Sequence, residues 1–277
     1  MATDTAATEG QVLSADGTRL AYRAWLQPQA RHTFAVAHGL GEHSGRYAAF
    51  AQAMAARGMA TYALDLRGHG NSQGQRGHLD SWGQWTEDIA AFVGRVESQT
   101  SGEVIPLGHS FGGAAMLSTV LAGKLKSSRR FIVSSPALKL KAAVPQWKAS
   151  LGAVTSRLVP RLAMNNEVDP GTVSRIPEVV EAYRTDPLVH AKISSRMYTE
   201  WTGAARDVLA HADQIQIPFL ILAGDADRLI DCSGSEELHA KTPRLSTLEI
   251  LPGRYHEPFN DLGSDEVFDI IARWVKG

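Results

Sequence analysis

Ser110 lies in the run Val104-Ile105-Pro106-Leu107-Gly108-His109-Ser110-Phe111-Gly112-Gly113, which sets a Gly-x-Ser-x-Gly between an apolar, strand-like segment and a helix-forming one. The bare pattern is common, but a strand before it and a helix after it make it a nucleophile elbow. A serine there must occupy a strained turn so that its hydroxyl projects above a sheet. Gly108 and Gly112 leave room for strand and helix to approach. The helix start aims the Phe111 amide, and the positive end of the helix dipole, at any oxyanion forming nearby. The chemistry implied is attack on a carbonyl carbon.

Near neutral pH a hydroxyl needs a base, itself oriented by a third group. Of ten histidines, His256 is the candidate, because it stands in Leu251-Pro252-Gly253-Arg254-Tyr255-His256-Glu257-Pro258-Phe259, after the last expected strand and before the final helix. That suits the chain order serine, acid, histidine. His239 is also downstream of the acids but falls in a helix beside Glu236 and Glu237, and reads as a surface residue. His109 reads as a packing or pocket-lining residue and His211 as structural.

For the acid, the strand Phe219–Ala223 runs into Gly224-Asp225-Ala226-Asp227-Arg228-Leu229-Ile230-Asp231. Asp227 is preferred, since a position a few residues into the loop can reach across the carboxyl edge of a sheet. Asp225 stays open as the alternative. Asp231 reads as a turn or cap residue. A second oxyanion donor is expected from the glycine-rich run Ala37-His38-Gly39-Leu40-Gly41-Glu42-His43, most simply the Leu40 amide. His38 and His43 lack catalytic-zinc spacing, so no metal and no cofactor is expected. Asp65 to Ser72 reads as a structural loop.

The elements that must position these groups follow from short apolar runs closed by Gly, Pro or polar clusters: Phe34–Ala37, Ala60–Leu64, Val104–Leu107, Phe131–Val133, Phe219–Ala223 and Leu248–Leu251. Alternating with helical segments at Arg46–Arg57, Trp82–Val96, Gly112–Leu125, Glu236–Lys241 and Asp265–Lys276, they predict an α/β architecture with a mostly parallel central sheet flanked by helices. Ser264 is the expected cap of the last helix. Around Ala15-Asp16-Gly17 an antiparallel hairpin is expected at the amino terminus.

The alternation lapses between about Pro136 and Ile215, where no strand pattern appears. The chain therefore divides into a first core part, 1–135, a helical cap insertion, 136–215, and a second core part, 216–277. Trp147, Leu151, Val154, Leu158 and Leu162 form one stripe on a helix that Pro160 is expected to bend. Lys139, Lys141, Lys148, Arg157 and Arg161 make this stretch basic. The favoured reading packs the stripe onto the main domain; the other lays it on a lipid surface.

With 277 residues, 28 Lys+Arg against 29 Asp+Glu and 44% hydrophobic residues, the chain is an ordinary folded one without the basic field that holds nucleic acid. A single cysteine, Cys232, excludes an internal disulfide and suits a reducing, cytoplasmic setting. Met1 to Gly10 lacks the features of a secretory signal, and no run nears the roughly 18 apolar residues of a membrane span. Any membrane contact is expected to be peripheral.

These residues resemble the α/β-hydrolase superfamily and, within it, the monoacylglycerol lipases and related bacterial lysophospholipases. The carrying segments are His38-Gly39-Leu40-Gly41-Glu42-His43-Ser44-Gly45-Arg46-Tyr47, Asp65 to Ser72, Gly108 to Gly113, Asp186-Pro187-Leu188, Gly224 to Asp231 and Tyr255-His256. The resemblance implies an α/β-hydrolase fold, Ser110 as nucleophile, His256 as base, Asp227 as acid and the amides of Leu40 and Phe111 as oxyanion hole. It also implies that Glu42 and Arg46 lie near the glycerol end of the pocket, that the cap admits an acyl chain, and that the substrate is a small lipid ester. A departure stands at Phe259, where mammalian relatives carry a second histidine near the glycerol head group. Dehalogenase and epoxide-hydrolase chemistry would place a carboxylate where Ser110 stands.

Overall fold

In the computed structural model, which describes residues 6–142 and 146–277, the six apolar runs all lie in one sheet. Its strands are β1 (Thr8–Leu13), β2 (Arg19–Trp25), β3 (His32–Ala37), β4 (Ala60–Leu64), β5 (Glu103–His109), β6 (Phe131–Ser134), β9 (Phe219–Gly224) and β10 (Ser246–Leu251). They run in the spatial order β1-β2-β4-β3-β5-β6-β9-β10. From β4 to β10 the pairing is parallel; β1 and β2 form the expected antiparallel hairpin, and β2 joins β4 antiparallel. Continuous burial of β3, β4, β5, β6 and β9 explains why they read as unbroken apolar runs.

Two apolar cores result, one on each face. Helices α1 (Ala48–Ala56) and α8 (Ser264–Lys276) cover one face through Phe50, Met54, Val267, Phe268 and Ile271. Helices α2 (Trp82–Gln99), α3 (Phe111–Leu121), α6 (Ser195–Ala210) and α7 (Ser233–Lys241) cover the other through Trp85, Phe92, Met116, Trp201 and Leu238. The insertion thus returns one helix, α6, to the main core, stacking Trp201 on Phe111 at 4.5 Å. The rest of it comprises α4 (Gln146–Leu158), α5 (Pro177–Thr185) and a ribbon of β7 (Ala163–Asn165) with β8 (Lys192–Ser194).

Four expectations are corrected. The insertion does contain strands, but at three residues each they are too short for an alternation signal. Pro160 does not bend α4: the helix stops at Leu158, since the residue before a proline is driven out of the helical region. Ser264 is the first residue of α8; its cap is Gly263, with φ of 77°, and no side chain caps the helix.

The fourth concerns the stripe. Leu151, Val154, Leu158 and Leu162 are 55, 53, 76 and 55% exposed, and Trp147 is exposed too, so the stripe points away from the main domain. The face of α4 that is buried is small and polar. Ser156 bonds Thr199 at 2.8 Å and accepts Arg196 Nη2 on its carbonyl at 2.8 Å, while Gly152 lies against the Tyr198 ring. Residues 1–5 of the amino-terminal segment and the Lys148 side chain lie outside the described residues.

Candidate active site

Strand β5 ends at His109 and α3 begins at Phe111, leaving Ser110 alone in the turn with φ 53° and ψ −119°. For a residue with a side chain this left-handed conformation costs on the order of 1 to 3 kcal/mol. It is held by the Ser110 N–H donating to Ser134 O and the Ala137 N–H donating to Ser110 O, each at 2.9 Å. A Cβ on Gly112 would collide with the carbonyl oxygens of Ala37 and His38, and one on Gly108 with the Gly112 carbonyl. The two glycines are therefore steric requirements of the elbow.

His256 Nε2 stands 2.9 Å from Ser110 Oγ, and His256 Nδ1 stands 2.7 Å from Asp227 Oδ2. Because a carboxylate can only accept, Nδ1 carries the proton and the Nε2 lone pair faces the serine hydroxyl. Asp227 is fixed in turn by the N–H groups of Leu229 and Ile230, which donate to Oδ1 at 2.8 and 3.0 Å. All three side chains are buried. Asp225 is left out: it is exposed and accepts the Gly253 N–H at 2.6 Å. Asp231 closes the turn before α7, accepting the Ser233 N–H.

Burial alone would push the His256 imidazole down, but the Asp227 charge and hydrogen bond, with Glu257 and Glu42 beyond, raise it above the ordinary value. Burial likewise opposes ionisation of Asp227, and the facing imidazole with two backbone donors outweighs it and lowers the carboxyl. Each partner thus favours the other's charged form. The neighbouring His109 ring, 4.9 Å from that of His256, lines the cavity, and burial followed by the His256 charge pushes it down to about 3.

Leu40 and Phe111 both line a cavity of about 430 Å³ together with Ser110 and His256. As the first residue of α3, Phe111 has an N–H without an intrahelical partner. The loop after β3 passes so close that a Cβ on Gly39 would lie 3.1 Å from Ser110 Cβ. Glu42 holds this loop, accepting the Gly39 N–H on Oε1 at 2.6 Å and the Tyr47 hydroxyl at 3.1 Å.

Glu42 reaches the cavity, whereas Arg46 stands behind it. Arg46 donates to Glu42 Oε2 at 3.1 Å and makes a two-pronged pair with Glu257, at 2.6 and 2.7 Å, under the Tyr183 ring. Burial works against the Glu257 charge, but Arg46 overrides it and lowers the carboxyl to about 2. Glu42, with the weaker share of Arg46 and Glu257 nearby, is raised by burial.

Glu257 and Tyr183 carry no expectation from the sequence. A carboxylate next to a candidate base is a local signal, but its partner lies 211 residues away, where spacing says nothing. The cavity's other walls are mainly apolar, including Leu140, Val168, Val173, Leu229 and Ile230. Phe259 is buried and points elsewhere, packing on Phe50, Tyr47 and Phe268.

The arrangement has the parts for acyl transfer: a hydroxyl facing a bare imidazole nitrogen, an acid behind it, and the hydroxyl opening into a cavity that Leu40 and Phe111 also line. A family profile described as serine aminopeptidase, S33 matches residues 28–263. Monoacylglycerol lipase of Mycolicibacterium smegmatis is 34% identical over 263 residues, covering 94% of this chain and 93% of that one. The crystal structure of Paleococcus ferrophilus monoacylglycerol lipase superposes with a TM-score of 0.82 at 28% identity, covering 98% of each chain. A soluble variant of the Saccharomyces cerevisiae monoglyceride lipase, solved with a substrate analogue, shares the fold at a TM-score of 0.88 and 20% identity, covering 100% of this chain and 96% of that one. The chain belongs to the serine aminopeptidase S33 family, serine hydrolases with the α/β-hydrolase fold.

Proposed function

We propose that this protein hydrolyses monoacylglycerols to fatty acid and glycerol through an acyl-enzyme on Ser110. The observation that carries this reading is the unbroken hydrogen-bonded line Asp227–His256–Ser110 at the base of a cavity with apolar walls and a charged, hydrogen-bonding floor. Relatives named as monoacylglycerol lipases supply the substrate class.

Ser110 Oγ attacks the ester carbon while its proton passes to His256 Nε2. Asp227 stabilises the imidazolium so formed. The carbonyl oxygen, now an oxyanion, accepts from the amides of Leu40 and Phe111, where losing one donor typically costs about 3 to 4 kcal/mol of barrier. Collapse expels glycerol, whose oxygen takes the proton from Nε2. Water then attacks the acyl-enzyme with the same imidazole as base, and Ser110 regains its proton.

Glu42, backed by Arg46, receives the glycerol hydroxyls at the floor of the cavity. Residues 136–215 act as the cap over the core formed by 1–135 and 216–277. The outward stripe of α4 gives a cytoplasmic enzyme a peripheral hold on the lipid surface that contains its substrate. No described helix is long and apolar enough to cross a membrane.

Ser110→Ala is expected to abolish monoolein turnover and fluorophosphonate labelling together; labelling that persists would remove Ser110 as nucleophile. Comparing kcat/KM for monoolein, lysophosphatidylcholine and a short nitrophenyl ester tests the substrate class. Equal values on all three would replace the monoacylglycerol reading with a broad carboxylesterase.

A further inference from the structure

The oxyanion loop is gripped from outside by the insertion. Between α5 and β8 the chain returns over residues 186–190 and meets the loop that carries Leu40 at two places. His190 N–H donates to Gly41 O at 2.9 Å, and the chain there is so close that a Cβ on Gly41 would collide with the His190 carbonyl. His43 Nε2 lies 2.8 Å from Asp186 Oδ2; since His43 Nδ1 accepts the Gly45 N–H, the Nε2 proton is the one donated.

Behind these contacts three imidazoles form a chain. His190 packs on His69 with ring centroids 4.6 Å apart, and His69 packs on His38 at 5.2 Å. Each end is anchored to backbone. His190 Nε2 donates to Gly68 O at 3.2 Å; His38 Nδ1 donates to Gly39 O at 2.7 Å and its Nε2 accepts the Leu66 N–H at 3.0 Å. His38 Nε2 accepts the Leu66 N–H and His190 Nδ1 accepts the Lys192 N–H at 3.2 Å, so both rings are neutral, and burial, which pushes them down to about 4, keeps them so. The carbonyls of Gly39 and Gly41, on either side of Leu40, are thus both engaged by histidines, one just after β3 and one from the insertion.

We infer that the returning arm of the insertion, through the backbone of His190 and the side chain of Asp186, positions the Leu40 amide, so that the insertion serves the acyl-transfer step as well as the admission of the acyl chain. His190 and Asp186 are positioning residues, since neither borders the reaction cavity. The inference rests on the proposed role of the Leu40 amide. Displacing an oxyanion donor by about 1 Å costs on the order of a hundredfold in rate.

The test uses an ester that makes no use of the chain-binding walls. For p-nitrophenyl acetate, Asp186→Ala, which removes the carboxylate that holds His43 while the backbone contact of His190 stays in place, is expected to lower kcat by roughly ten- to a hundredfold with KM within about twofold, and to slow fluorophosphonate labelling in parallel. An insertion that only admits the acyl chain would leave both unchanged and alter monoolein kinetics alone, which would overturn the inference. Should Asp186→Ala melt below the assay temperature, His43→Asn, which removes the other half of that contact, is read with the same two outcomes. Ser110→Ala separates the failures: residual labelling there overturns the serine mechanism, whereas an inert Ser110→Ala beside a fully active Asp186→Ala overturns only the positioning role.

Discussion

Helices α3 and α4 are both built on apolar residues, and the fold treats them in opposite ways. In α3 the residues from Phe111 to Leu117 are all buried, wedged between β5, α2 and α6, so the elbow that precedes it cannot relax. In α4 the large apolar residues face solvent while Gly152 and Ser156 turn inward onto α6. The site is therefore assembled where every face has a partner, and the insertion leaves an apolar face where none of the described main-domain elements covers it. An outward patch of this kind is what the proposed hold on a lipid surface requires.

On this contrast, small changes in the buried region should be felt strongly. Asp227→Asn keeps the size of the side chain but favours the wrong imidazole tautomer, and kcat should fall by about 10⁴-fold, read with a soluble ester in steady-state assays. Arg46→Met leaves Glu42 and Glu257 buried without their cation. Removing one partner of such a pair costs roughly 3 to 5 kcal/mol, visible as a lowered urea midpoint, and a midpoint unchanged from the parent would mean that the pair is solvated in solution.

The exposed region should answer in the opposite sense. Leu151→Asp with Leu158→Asp should cut partitioning onto lipid vesicles by about tenfold or more. The melting curve and the hydrolysis of p-nitrophenyl acetate should move little, since substitutions of exposed side chains usually stay within about 0.5 kcal/mol each. A large loss of stability would show that the stripe is buried in solution after all.

The smallest effects are those of pH. His256 must be neutral to act as base, and its value is raised above 6.5, so kcat/KM should decline as pH falls through a point above 6.5. Its raised value also means that its contribution to stability is full below 6.5 and is lost as pH climbs through the folded value. Glu257 has the reverse sign: with a folded value of about 2 against an ordinary 4.5, its contribution is full above about 4.5 and fades as pH drops toward about 2. Urea midpoints measured across these windows check both signs, and Asp227→Asn should pull the acid limb of the rate profile downward.

How much of this could be read from the chain depended on distance along it. The elbow was legible because its strand, serine, glycines and helix are contiguous. His256 and Asp227 were legible because each follows a recognisable strand and the order of the three is constrained. The Glu257–Arg46 pair was not, because its members are 211 residues apart, and neither was the meeting of His190 with the loop after β3. Glu42 was linked to the glycerol end of the pocket by resemblance; its bonds to Gly39 and Tyr47 add a structural duty there.

The amino-acid sequence determined the strands of the central sheet, the helices that flank it outside the insertion, the turn that presents Ser110 and the existence of an apolar stripe in the insertion, since each depends on periodicity and steric demands within a few residues. The tertiary structure alone decided which way that stripe faces, which carboxylate takes the Arg46 charge and what holds the oxyanion loop from outside. Those outcomes depend on which surfaces meet after the chain has folded back on itself, and pairwise burial, charge and hydrogen bonding between distant residues leave no mark in local spacing.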